Sequence, residues 1–118
     1  MTANPPRRGE IWNVNFDPTI GAEINKLRPA LVVSPDSVGK LPLIIVVPVT
    51  SWGEQFEALP WVVRLRASQE NGLSRTSGVD CFQVKSVSRA RLTERLGIVT
   101  ADELELVVNG IQLCIGVY

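Results

Sequence analysis

Polar and large apolar residues alternate through Gly9-Glu10-Ile11-Trp12-Asn13-Val14-Asn15-Phe16, the period-two rhythm of a strand with one buried face. Asp17-Pro18 closes that strand, and Thr19 to Leu27 reads as a loop carrying Gly21 and the polar cluster Glu23, Asn25 and Lys26. Ala30 to Ser34 is a second strand. Beyond the turn region Pro35-Asp36-Ser37-Val38-Gly39, the β-branched run Leu43-Ile44-Ile45-Val46-Val47-Pro48-Val49 suits a strand buried on both faces, with Pro48 placing its end at a sheet edge or bulge. Trp61 to Arg66 alternates apolar with basic residues. Ser68 to Ser77 is a polar loop, Gly78 to Val84 a further strand, and Lys85 to Leu92 interleaves basic and small residues. The period then changes. Thr100-Ala101-Asp102-Glu103 fits a capping box, and Leu104, Val107, Val108, Ile111 and Ile115 recur at helical spacing. Gly110 inside that stripe costs about 1 kcal/mol relative to alanine, which close packing of another backbone would offset. Five or six short strands followed by one helix predict a mainly β fold: a small, strongly bent sheet or partial barrel with the helix laid against it.

Composition narrows the class. A length of 118 residues with 45% hydrophobic and 20% charged side chains predicts one ordered domain over residues 1–118, without a linker. Leu43 to Val49 is the longest apolar run and is too short to cross a bilayer, and the N-terminal Met-Thr-Ala-Asn-Pro-Pro-Arg-Arg lacks the apolar region of a signal peptide, so a cytoplasmic protein with no membrane attachment is expected. Cys81 and Cys114 match no metal spacing and read as two buried thiols rather than a disulfide. Histidine is absent, which removes triads, Cys-His pairs and histidine-ligated zinc. Any catalysis must use arginine, lysine, carboxylates, hydroxyls or backbone. The formal net charge is zero, yet Arg64 to Arg95 holds seven basic residues (Arg64, Arg66, Arg75, Lys85, Arg89, Arg91, Arg95) against three acidic ones (Glu70, Asp80, Glu94), a local balance of +4. That stretch is either a phosphate-facing surface or a set of solvated strand faces.

The chemistry-bearing stretch is Glu23-Ile24-Asn25-Lys26-Leu27-Arg28-Pro29 running into Ala30-Leu31-Val32-Val33-Ser34. Pro29 has a fixed φ and pushes Arg28 toward an extended conformation, so the guanidinium is held where a loop meets a buried strand. It either recognises an anion, phosphate or carboxylate, through its planar fork of donors or pins the loop by bonding carbonyls. Thr50-Ser51, at the end of the third strand, place two hydroxyls to donate to an anion or to satisfy their own turn. Trp52 lies in a polar loop beside Thr50, whereas Trp61 reads as core.

Taken together, the chain resembles the MazF/PemK family of toxin ribonucleases. The likeness rests on Arg8-Gly9-Glu10-Ile11-Trp12, on Gly21 to Ser34 with its Arg28-Pro29-Ala30-Leu31-Val32 block, and on Val47-Pro48-Val49-Thr50-Ser51. Gly72-Leu73, Ser77-Gly78-Val79-Asp80 and Arg91-Leu92 to Gly97 follow in the family's order. The resemblance implies an SH3-like small barrel, a homodimer, and the toxin of a type II toxin–antitoxin system that cuts single-stranded RNA at short sequences without metal or other cofactor. It further implies a MazE-like antitoxin whose acidic segment covers the RNA groove. Arg28 and Thr50 then correspond to the catalytic pair, with Ser51 able to share the hydroxyl's role and Glu23 contributing in some members. Asn25, Lys26, Trp52, Arg64, Arg66, Arg75 and Arg89 are candidates for substrate contact. A guanidinium is protonated at rest and so is a poor base, which leaves Arg28 to stabilise charge and to serve as a proton donor. The competing reading is a non-catalytic toxin of the same fold that binds a protein target such as DNA gyrase.

Overall fold

The computed structural model describes residues 4–18, 20–24, 26–38 and 41–117. Through them run β1 (Glu10–Asn15), β2 (Leu27–Val32), β3 (Leu43–Ser51), β4 (Val62–Leu65), β5 (Ser77–Asp80), β6 (Lys85–Ser88), β7 (Leu92–Ile98) and α1 (Ala101–Cys114). The strands form one antiparallel sheet in the order β4-β5-β3-β2-β1-β7, with β6 also pairing β3. Among the described residues the two end strands β4 and β7 are not paired with each other, so the sheet bends without closing. The bend wraps two apolar cores. One gathers Ile11, Leu31, Val47, Val49, Leu65, Val79 and Val107 beneath α1. The other gathers Val14, Phe16, Ala30, Val32, Ile44, Val46 and Val87. A mainly β bent sheet with a C-terminal helix is the architecture that the run of strands and the resemblance imply.

β3 is the central strand, and one expectation about it changes. Pro48 lies buried in its interior rather than at an edge or bulge. β6 pairs with Leu43 to Val46 and β5 with Val49 to Ser51, so Val47 and Pro48 face a break between two partner strands. A residue without an N–H is tolerated there because no ladder continues across the break. Thr50 and Ser51 end the strand, as expected, paired with Gly78 and Ser77. The seventh strand, β7, exceeds the five or six expected. Leu92-Thr93-Glu94-Arg95-Leu96-Gly97-Ile98 carries adjacent charges and a glycine. It also pairs β1 with register shifts between Ile11 and Trp12 and between Asn13 and Val14, which blur any alternation.

At the start of α1 the capping box forms as expected. Glu103 N donates to Thr100 Oγ1 at 3.1 Å and Thr100 N donates to Glu103 Oε1 at 2.9 Å. Val107 is fully buried, Leu104 and Ile111 pack against the first core, and Ile115 is exposed, so the stripe leaves the core at its last member. Gly110 has the close neighbour its cost calls for. A Cβ there would stand 2.6 Å from Cys81 Sγ and 3.5 Å from the Trp61 carbonyl oxygen. Both cysteines are free thiols, Cys81 buried and Cys114 partly so. Burial, with Cys114 and Asp80 nearby, pushes the Cys81 thiol up to about 12, which leaves it an unreactive packing group.

Glu10, at the start of β1, is the buried carboxylate. It accepts from Arg95 Nε at 2.7 Å, Trp12 Nε1 at 3.0 Å and Arg7 N at 2.8 Å. Burial alone would raise its pKa. The bonds from Trp12, Arg95 and Arg7, with the Arg95 charge, outweigh that and hold the carboxyl below its usual 4.5.

Candidate active site

Register brings the candidate residues together. Arg28 lies inside β2, opposite Val14 of β1, and Pro29 lies opposite Asn13. β2 and β3 pair Ala30 with Pro48, so two residues further along each strand Arg28 stands beside Thr50. Arg28 Nη1 donates to Thr50 Oγ1 at 3.5 Å, a long bond of the kind that shortens when a ligand closes on a site. Both side chains are half-buried, so the pair is shielded from bulk water without being sealed from a ligand. Successive strand residues point to opposite faces, which gives the Arg28 contact to Thr50 and not to Ser51.

The pair opens into a groove of about 560 Å³. Its cationic lining is Lys26, Arg28 and Arg75, and its hydroxyls are Thr50, Ser51, Ser74 and Ser77. Among the described residues no carboxylate lines it. This lining suits anions: three cationic side chains and several hydroxyls border one space.

Lys26 reaches that space from a strained backbone. Its φ is 68°, the left-handed region that costs a residue with a Cβ about 1–2 kcal/mol. Lys26 N donates to Asp17 Oδ1 at 2.9 Å and Phe16 N donates to the Lys26 carbonyl at 3.0 Å, and these bonds hold the conformation.

Arg75 and Ser74 come from a stretch that sequence reading treats as a plain polar loop. Its organiser is Asn71, 2% exposed. Asn71 Nδ2 donates to the Arg66 carbonyl at 2.8 Å, and its Oδ1 accepts from Ser68 N at 3.0 Å and Leu73 N at 2.9 Å. Gly72, with φ 70°, sits so close to β7 that a Cβ would stand 2.1 Å from the Leu96 carbonyl oxygen. Asn71, Asn13, Ser74 and Ser77 were missed by sequence reasoning. The Asn71-Gly72 dipeptide after Ser68 was the available signal, an Asx-turn pattern with a left-handed glycine.

Other candidates lie elsewhere. Glu23 Oε1 accepts from Ile20 N at 2.9 Å and its Oε2 pairs with Lys85 Nζ at 3.5 Å, and it lines a separate cleft with Gln83 and Lys85. Trp52 is half-buried over Gly78, where a Cβ would meet its ring at 3.4 Å, and it meets Phe56 edge-on at a centroid distance of 5.6 Å. The Arg64 guanidinium sits 5.2 Å from the Trp52 ring centroid, outside the groove lining. Arg66 is exposed and also outside it. Arg89 is at the other end of β3, its N–H donating to the Pro42 carbonyl at 2.7 Å beside Leu43. Asn25 lies outside the described residues. Trp61 packs against the first core, as expected. Among the described residues no cluster of three potential ligands stands ready for a metal ion, and no helix is long and apolar enough to cross a membrane.

Comparison with known proteins bears on this geometry. Residues 7–115 match the family model described as a PemK-like, MazF-like toxin of type II toxin–antitoxin systems. The sequence is 37% identical over 113 residues to the endoribonuclease MazF9 of Mycobacterium tuberculosis, covering 91% of this chain and 93% of that protein. The fold superposes on the crystal structure of MazF from Deinococcus radiodurans with a TM-score of 0.81 and 30% identity, covering 97% of this chain and 99% of the other. A MazE–MazF complex from the same organism gives a TM-score of 0.75 and 31% identity over 98% and 100% of the two chains.

Proposed function

This chain belongs to the PemK-like, MazF-like toxin family, and from that premise we propose that it is an endoribonuclease toxin cutting single-stranded RNA at short sequences, without a metal, in the groove between Arg28 and Thr50. The observation that carries the assignment of the site is the Arg28 Nη1 contact with Thr50 Oγ1 at 3.5 Å, in a groove whose described lining adds Lys26 and Arg75 and no carboxylate.

The reaction these groups suit is attack of a ribose 2′-oxygen on its own phosphorus. The P–O5′ bond breaks, leaving a 2′,3′-cyclic phosphate and a 5′-hydroxyl. Negative charge grows on the non-bridging oxygens of the phosphorane. Arg28 meets it with a charged fork, and Thr50 donates an O–H to one of those oxygens. Arg28 also stands to protonate the departing 5′-oxygen. Glu23 is engaged by Ile20 and Lys85 in a neighbouring cleft, which supports a loop-holding role and leaves the 2′-hydroxyl proton to pass to water. Lys26 and Arg75 hold flanking phosphates.

A MazE-like antitoxin would lay an acidic extended segment along the same cationic groove. Leu106, Leu113, Ile115 and Val117 are exposed apolar residues on and just beyond α1, and they support a homodimer that shares this surface. The toxin acts in the cytoplasm, where its RNA is.

The test is to incubate the protein with a long single-stranded RNA in excess chelator, beside Arg28→Ala, and map the new 5′ ends. Discrete cuts with 5′-hydroxyl ends that vanish in the variant support the assignment. Intact RNA from folded wild-type protein overturns it in favour of a toxin that binds a protein target such as DNA gyrase.

A further inference from the structure

The loop between β1 and β2 carries Lys26 and delivers Arg28 into the groove, and its geometry is set from a distant part of the chain. Gln83 Oε1 accepts from Ile24 N at 2.8 Å, a bond between residues 59 apart in sequence. The other end of the same carboxamide is occupied as well. Gln83 Nε2 donates to Asp80 Oδ2 at 3.2 Å, and Asp80 Oδ1 accepts from Phe82 N at 3.1 Å, capping the 3-10 turn Cys81–Gln83. One partner needs a donor and the other an acceptor, so the amide has a single satisfying orientation.

That turn is well seated. Cys81 at its start is buried, its thiol donating to the Val107 carbonyl of α1 at 3.4 Å. At the loop end of the bond, the Ile24 side chain packs against the second core. Ile24 is thus held by side chain and amide together, four residues before Arg28, with the left-handed Lys26 between them. The Glu23 to Lys85 pair reaches the same loop, but both partners are about a third to a half exposed, and such pairs contribute little.

We propose that Gln83, oriented by Asp80, is a positioning residue: it sets the β1–β2 loop so that Lys26 and Arg28 face Thr50 before RNA arrives, acting on turnover through Arg28 rather than by touching RNA. The proposal rests on the ribonuclease reading above. Misplacing a catalytic group by about 1 Å costs on the order of a hundredfold in rate, and loss of one of several restraints costs less than that full amount.

The test compares wild type, Gln83→Leu and the double variant D80N/Q83E for RNA cleavage and for hydrogen exchange at the Ile24 amide. Gln83→Leu removes both bonds. It should lower kcat by about tenfold or more with KM within about threefold, and speed Ile24 exchange by about tenfold or more. In D80N/Q83E the new amide at position 80 donates to the new carboxylate at position 83, which still accepts from Ile24. Turnover and exchange protection should return to within about threefold of wild type, on the same reasoning. Three results would overturn the proposal: a Gln83→Leu kcat within twofold of wild type, a loss confined to KM with a weakened salt dependence, or a folded D80N/Q83E as slow as Gln83→Leu. Should Gln83→Leu not fold, the double variant decides alone. Wild-type protein that leaves RNA intact would sink the ribonuclease reading instead, and Ile24 exchange would still report whether Gln83 orders the loop.

Discussion

Replacing Thr50 by valine separates the two hydroxyls at the end of β3. Valine keeps the shape and strand preference of threonine and removes only the O–H, and Thr50 is half-buried opposite Gly78, so the fold should lose little. The lost group is the hydroxyl beside Arg28, 3.5 Å away, in the proposed role of donor to a phosphorane oxygen. Deleting one such donor costs about 100- to 1000-fold in kcat, or about 2.7–4 kcal/mol of transition-state stabilisation. KM should move by less than about threefold, because the interaction strengthens only as charge develops. Ser51→Ala is the internal control. It lines the same groove but makes no contact with Arg28 like that of Thr50, and its kcat should stay within about threefold of wild type. Single-turnover cleavage of a long single-stranded RNA, followed at saturating protein, reads kcat without interference from product release. Combining Thr50→Val with Arg28→Ala should cost less than the product of the two single losses, since both groups act on the same phosphoryl charge. A Thr50→Val enzyme within threefold of wild type, or a Ser51→Ala loss as large as that of Thr50→Val, would refute the assignment.

Lys26→Ala and Arg75→Ala should each reduce the slope of log affinity against log salt by about 0.7, the value for one phosphate contact on a single strand, whereas Arg89→Ala, at the far end of β3, should leave it unchanged; filter binding across a salt series decides. Glu23→Gln should keep kcat within about threefold, because Glu23 is engaged by Ile20 and Lys85 in a separate cleft and is not part of the groove lining, and a hundredfold loss would make Glu23 the base. Gly110→Ala gains about 1 kcal/mol of helix propensity but drives a methyl to 2.6 Å from Cys81 Sγ, and overpacking costs typically 1–3 kcal/mol, so urea unfolding should show a lower midpoint. The Glu10 carboxyl is depressed below 4.5 in the folded chain, so its contribution is full above the unfolded value and is lost as pH falls through the folded one; Glu10→Gln should flatten the acid limb of stability below about pH 4.5, and parallel limbs would contradict it.

What could be read from the chain follows from how local each signal is. The capping box at Thr100 and Glu103 spans three residues and formed as written, and the strand cores at Ile11, Val32 and Val46 follow from their own neighbours. Pro48 and β7 were misread because their placement depends on partners. Whether a proline is tolerated depends on where β6 ends and β5 begins, and β7 is a strand because β1 accepts it through two shifts of register. The Arg28 to Thr50 contact spans 22 residues and arises from the β2–β3 register, which no periodicity predicts. Asn71 is the inverse case: a buried polar residue that draws the 66–73 stretch around its amide, hidden in the sequence among residues that all look solvated.

The neutral net charge and the anion-binding groove are compatible because the charges are sorted in space, not because they are few. Glu10 is engaged by Arg95 and Trp12 and Glu23 by Lys85, so these carboxylates are directed away from the lining, while Lys26, Arg28 and Arg75 converge on one side of the β2–β3 seam. Long-range attraction of RNA should therefore be weak, and affinity should come from contacts inside roughly one Debye length, about 8 Å at physiological ionic strength. The same sorting would let the proposed acidic antitoxin segment occupy the groove without any resemblance to RNA in its covalent structure. A peptide that places carboxylates at the spacing of the three cations meets the same donors as the phosphates do, and it brings no phosphorus for a 2′-oxygen to attack. With Arg28 and Thr50 in the proposed role, such a groove would bind substrate and inhibitor by one physics and distinguish them only in the chemical step.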